Sequence, residues 1–107
     1  MNKPQPLPEV GVILQRLQPG QKAVPLDYPD NIGKRTKLGG EPDWAQEGEV
    51  PVCPECGDLM TFVAQIDSID YSGWGKADEL YMFGDVGMIY VFYCLECNET
   101  TSVVQGY

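Results

Sequence analysis

Four cysteines stand in two identical spacings, Cys53-Pro-Glu-Cys56 and Cys94-Leu-Glu-Cys97. Two intervening residues let one tight turn present both sulfurs to a single ion. Two such turns complete a tetrahedron, the arrangement Zn²⁺ prefers. The residue after each pair is Gly57 or Asn98. Glycine and asparagine tolerate the left-handed backbone that closes such a turn. That backbone also aims N–H groups at the thiolates and offsets their charge. The pattern predicts one shared zinc site with Cys53, Cys56, Cys94 and Cys97 as ligands. Four protein ligands close the coordination shell and leave no position for an activated water, so the ion is expected to be structural.

The competing readings are two disulfides, or four unrelated buried thiols. The N-terminus, MNKPQPLPEV, has prolines where a signal peptide has an unbroken apolar stretch. The expected compartment is the cytoplasm, where thiols stay reduced and cysteines serve metals. Iron in a rubredoxin-like site is the competing metal. Zinc is preferred, because such iron sites carry electrons and nothing else in the chain points to electron transfer. The chain has no histidine. That excludes imidazole as a base and as a ligand, and it leaves Ser68, Ser72 and Ser102 without the usual activator.

The ion has energetic work to do. A chain of 107 residues buries only about 60–65% of its unfolded surface, so its core is marginal without help. Thirty-seven residues separate the two pairs, more than a compact zinc ribbon has. The insert must therefore carry much of the sheet. Residues 59–67 put Met60, Phe62, Ala64 and Ile66 on one side of a predicted strand, with Gln65 and Asp67 on the other. Residues 86–93 are apolar on both sides and predict a central strand. Residues 80–83 precede them across Gly84-Asp85, a hairpin signal. Residues 100–104 predict a short last strand. Upstream, residues 10–17 (VGVILQRL) are β-branched enough to predict a strand, and a short strand is possible at 22–26. Six of nine prolines lie in the first 29 residues, and residues 1–9 are expected to form an extended arm before a single domain over 10–107.

Charge is divided along the chain. Residues 1–37 hold six basic and three acidic side chains, a net of +3, while residues 38–107 hold one basic and thirteen acidic, a net of -12. A total of -9 argues against nucleic acid and anionic membrane as partners. It suits a basic protein partner, steered by the acidic part. Trp74 sits between two glycines in the polar stretch 68–79, and Tyr71, Trp74, Asp78 and Glu79 are the candidate partner contacts. One alternative is an enzyme using carboxylates among Asp67, Asp70, Asp78, Glu79 and Asp85. The other is a nucleic-acid-binding ribbon using Lys34-Arg35-Thr36-Lys37, a run more simply read as solvated or as neutralising acidic neighbours.

Three phrases occur in order: Lys37-Leu-Gly-Gly-Glu-Pro-Asp-Trp44, Met60-Thr-Phe-Val-Ala-Gln-Ile-Asp67, and Phe83-Gly-Asp-Val-Gly-Met-Ile-Tyr-Val-Phe92. Together they resemble the bacterial YwqG-like family, a domain of unknown function, and more distantly programmed cell death protein 2. The resemblance covers roughly residues 32–107. It implies packed antiparallel sheets, a structural corner of Gly39, Gly40, Pro42 and Trp44, and a Gln65 that bonds backbone across the sheet. The eukaryotic relative is associated with chaperoning a basic ribosomal protein, which would suit an acidic surface. YwqG-like domains are usually longer, and many lack the cysteine pairs. The combined expectation is a mainly β, sandwich-like single domain of antiparallel strands with a four-cysteine, zinc-ribbon-type knuckle pair. It would act as a non-catalytic, chaperone-like or immunity-like interaction module.

Overall fold

A computed structural model describes residues 9–24, 31–68, 70 and 87–107. Its frame is one antiparallel sheet in the order β1 (Lys37–Leu38), β2 (Thr61–Asp67), β3 (Gly87–Cys94), β4 (Glu99–Gly106). The central position expected for residues 86–93 is the one β3 takes, with β2 and β4 on either side. Met88, Tyr90, Phe92 and Cys94 alternate along β3 and are at most 5% exposed. Ile89, Val91 and Tyr93 take its other side and are half-buried. Both sides being partly covered explains why this strand is apolar throughout.

The sheet is covered by irregular chain; among the described residues no second sheet supplies the other layer of the sandwich. Residues 39–53 cross over the inner side, where Trp44 and Val50 pack on the core of Cys53, Met60, Phe62, Met88, Tyr90, Phe92 and Cys94. Gly39 and Gly40 both have positive φ, 69° and 74°, and turn the chain away from β1. Trp44 then lies on Tyr90 at 4.7 Å between ring centroids and on Phe92 at 6.0 Å. Gly48 passes so close beneath the indole that a Cβ there would stand 2.5 Å from a ring carbon.

β2 departs from simple alternation. Phe62 pairs with Phe92 but Ala64 pairs with Val91, so Val63 is an extra residue in the ladder. Such a bulge moves every later side chain to the opposite side. Ile66, expected beside Phe62, is turned outward and is 37% exposed, while Gln65 and Asp67 are turned inward and fully buried.

Residues 10–17 are not a strand. They are irregular, and Val12, Ile13 and Leu14 are 79%, 96% and 71% exposed. Among the described residues, no backbone hydrogen bond ties this stretch to the sheet. β-branched composition expresses itself as a strand only where a ladder partner and a half-buried surface receive it. Residues 21–24 are also irregular. The remainder of the 22–26 stretch, the 80–83 strand and the Gly84-Asp85 turn lie outside the described residues.

Candidate metal centre and a buried polar cluster

Each cysteine pair sits on its own short turn. Cys53–Cys56 form the tip of a small hairpin in which Val52 bridges Leu59, Cys53 N–H donates to Asp58 O at 2.8 Å and Met60 N–H to Pro51 O at 3.0 Å. Gly57, at φ 80°, closes the turn by donating its N–H to Cys53 O at 2.9 Å. Cys94 ends β3, pairs with Glu99 across the β3–β4 hairpin, and leaves Leu95–Asn98 as the connecting turn. Asn98, at φ 59°, makes the equivalent bond to Cys94 O at 2.9 Å. Its side-chain oxygen accepts from Tyr93 Oη at 2.6 Å, which fixes the asparagine in place.

The two turns converge. All four Sγ atoms lie within 4.8 Å of one another, and Cys56 Sγ stands 3.7 Å from Cys94 Sγ. A metal–sulfur bond of about 2.3 Å gives a tetrahedral edge of about 3.8 Å. A disulfide would need about 2.05 Å, and all four thiols are free. The donor set therefore fits one metal ion. Cys53 and Cys94 are buried and continuous with the core, while Cys56 is exposed and Cys97 half-exposed.

The thiols also influence one another's charge. A hydrogen bond from the Cys97 backbone holds the Cys94 thiol below its ordinary value; burial opposes it and the Glu96 backbone adds to it. Cys97 is pushed up to about 12, first by the Cys56 thiol and then by burial. For Cys56 the Asp58 backbone lowers the value, but burial and the Cys94 thiol outweigh it and the net shift is upward. Cys94 is thus eased toward the thiolate, while Cys56 and Cys97 resist it. A bound cation reverses that resistance, because it deprotonates the thiols that coordinate it.

The other end of the β2–β3 pair, about 20 Å along the strands, holds a polar cluster. Asp67 is fully buried. Its carboxylate accepts from Arg35 N–H at 3.0 Å, Ser68 N–H at 2.9 Å and the Tyr107 hydroxyl. Its own N–H donates to Thr36 Oγ1 at 2.8 Å. Gln65 donates to Arg35 O at 2.6 Å and to Asp43 Oδ2 at 3.0 Å, and accepts from Asp43 N–H at 3.0 Å. Tyr90 Oη continues the network by donating to Asp43 O and accepting from Ala45 N–H. Burial raises the Asp67 carboxyl above its ordinary value, against the pull of its three donors. The Tyr107 hydroxyl is raised too, by burial and by the Asp67 carboxylate. No spacing in the chain announces this cluster, because the Val63 bulge that turns Gln65 and Asp67 inward is invisible in the alternation.

Two sequence candidates change meaning here. Arg35 is buried, lies 5.5 Å from the Tyr107 ring centre and donates from Nε to Asn31 Oδ1 at 3.1 Å. Lys37 pairs with Asp43 at 3.2 Å. The basic run thus ties one segment to another, and two of its three cations have protein partners. Of the five carboxylates in the enzyme alternative, Asp67 and Asp70 are described. Asp70 alone lines the open groove of about 1490 Å³ between residues 10–17 and the edge of β1, and its Oδ2 already accepts from Thr36 N–H at 2.8 Å. Ser68 Oγ accepts from Gly87 N–H at 3.1 Å, a structural role. Tyr71, Trp74, Asp78 and Glu79 lie outside the described residues. Within the described residues, no helix is long and apolar enough to cross a membrane.

No protein-family profile matches the chain. No solved structure matches it either. It is similar to the protein named "Uncharacterized protein YpfL" of Salmonella typhimurium, with 33% identity over 94 residues. The similarity covers 86% of this chain and 20% of that protein. The chain therefore spans about a fifth of the length of the curated relative it matches.

Proposed function

We propose that this chain is a zinc-stapled, non-catalytic interaction module of the cytoplasm, akin to YwqG-like domains, that meets a basic protein partner through its acidic surface. The observation that carries the reading is the closed set of four sulfurs within 4.8 Å. An all-sulfur tetrahedral shell suits Zn²⁺, and with four protein ligands it leaves no open position for chemistry on substrate. Its role is then energetic, and it frees the exterior for recognition. Among the described residues beyond Leu38 there is no basic side chain. Shielding a basic client, in a chaperone-like or immunity-like way, is a use that fits such a surface.

Native mass spectrometry with elemental analysis tests the metal. One zinc per chain is expected, and Cys94→Ser should lose it. Iron in its place, or an unmetallated native chain, would overturn this part of the reading. Retrieval of basic proteins from native cytosol, with binding that weakens as salt rises, tests the partner.

A further inference from the structure

We infer that the outer rim of the two cysteine turns is the docking surface of this module. It fits a partner whose surface carries aliphatic side chains within a ring of lysine or arginine. This rests on the reading of the chain as a binder of basic protein, and it places that binding at particular residues.

Three large aliphatic side chains stand out on the turns. Val52 is 53% exposed and Leu59 71%, and the two are paired across the bridge that closes the first turn. Leu95 is 74% exposed and follows Cys94, whose sulfur is 3.7 Å from that of Cys56 on the first turn. Metal-ligand turns of this kind need nothing apolar at these positions, since the sulfurs and the backbone do the structural work. Meanwhile Cys53, Met60 and Cys94, the immediate neighbours of these three, are at most 5% exposed. The sequence thus alternates sharply between residues that face the core and aliphatic residues that face water. Apolar side chains grouped on a rigid rim mark interaction sites more often than singly scattered ones do.

Charge decides what kind of partner fits. Glu55, Asp58 and Glu96 are exposed on the same two turns, and the turns carry no cation. Four thiolates with one divalent ion add two further negative charges. Phosphate-bearing partners and anionic membranes are repelled by such a rim. A basic ring complements it, and the aliphatic centre then supplies contact area that charge alone does not. Because both turns are closed by backbone bonds and tied through the core, little ordering entropy is lost on docking.

The test uses the metal-loaded chain, labelled with ¹⁵N and titrated at low salt with two synthetic peptides of equal positive charge. One carries leucines among its lysines, and the other is leucine-free. The expected result is tighter binding of the leucine-bearing peptide by about tenfold, with amide shifts concentrated at Val52, Leu59 and Leu95. Leu59→Ser combined with Leu95→Ser should abolish that preference while zinc content stays unchanged. If both peptides bind equally and shifts spread over the acidic surface, the rim is not the site, although the acidic-surface reading stands. If neither peptide binds, both readings fall. The shift map on the unmodified chain answers the question even if the double variant folds poorly.

Discussion

At one end of the β2–β3 ladder, four sulfurs converge from two turns, each complete within six residues. At the other end, Asp67 and Gln65 gather partners from Arg35, Asp43 and Tyr107, which lie 22 to 40 residues away. Both ends fasten the same two strands, but in different ways. The cysteine end offers donors that gain their strength from an ion. The polar end is satisfied by the chain itself. The contrast shows that local turn chemistry can prepare a site before the fold is complete, whereas a buried carboxylate needs the whole sheet in place.

The ends should also respond oppositely to acid. Protons compete with metal for the thiolates, so acidification weakens the cysteine end. Burial raises the Asp67 carboxyl above its ordinary value of 3.8, against hydrogen bonds from Tyr107, Arg35 and Ser68. The folded state then holds the Asp67 proton more tightly than the unfolded chain does. That contribution is complete below the unfolded value and is lost as pH rises through the folded one.

Breaking the cysteine end should have the largest effect. A strong chelator, or Cys94→Ser, removes a contribution that reaches about 10–16 kcal/mol in zinc-finger peptides. Cooperative thermal unfolding, followed by circular dichroism, should disappear at room temperature. Asp67→Ala comes next. It orphans the Arg35 N–H, the Ser68 N–H and the Tyr107 hydroxyl, and should cost about 3 kcal/mol in urea unfolding while metal content stays full. Gly48→Ala drives a methyl into the Trp44 ring and should cost about 1–3 kcal/mol, read in the same titration. Asn98→Ala forces alanine into left-handed backbone and should cost about 1 kcal/mol, with Asn98→Gly recovering most of it. The smallest effect is the sharpest for the comparison. Above the ordinary carboxyl value of 3.8, the wild type should lose stability relative to Asp67→Asn as pH rises through the folded Asp67 value. Parallel curves would mean that the donors around Asp67 cancel the effect of its burial.

The legible parts share a cause. The cysteine pairs, the residues closing their turns and the central strand 86–93 are each set by contacts within a few positions, or by one period-two pattern. The strand expected at 59–67 is present as Thr61–Asp67, yet its last three side chains are reversed by the Val63 bulge. Residues 10–17 have strand composition but, among the described residues, no ladder to join. Lys34–Lys37 reads as a basic patch, but Arg35 is drawn under Tyr107 and Lys37 is taken by Asp43. In these three cases the outcome rests on which segments the fold brings together, and neither composition nor alternation reveals that.

From the amino-acid order alone came the donor set for an ion, the turns that carry it, the mainly β character and the surplus of acidic side chains. These follow from spacing, from backbone preference and from counting charges, none of which needs a third dimension. Only the tertiary structure decided that the sulfurs meet at tetrahedral distance, that Asp67 and Gln65 point inward, and that Val52, Leu59 and Leu95 stay in water. Each of those depends on register between strands, and one extra residue in a ladder is enough to exchange inside for outside.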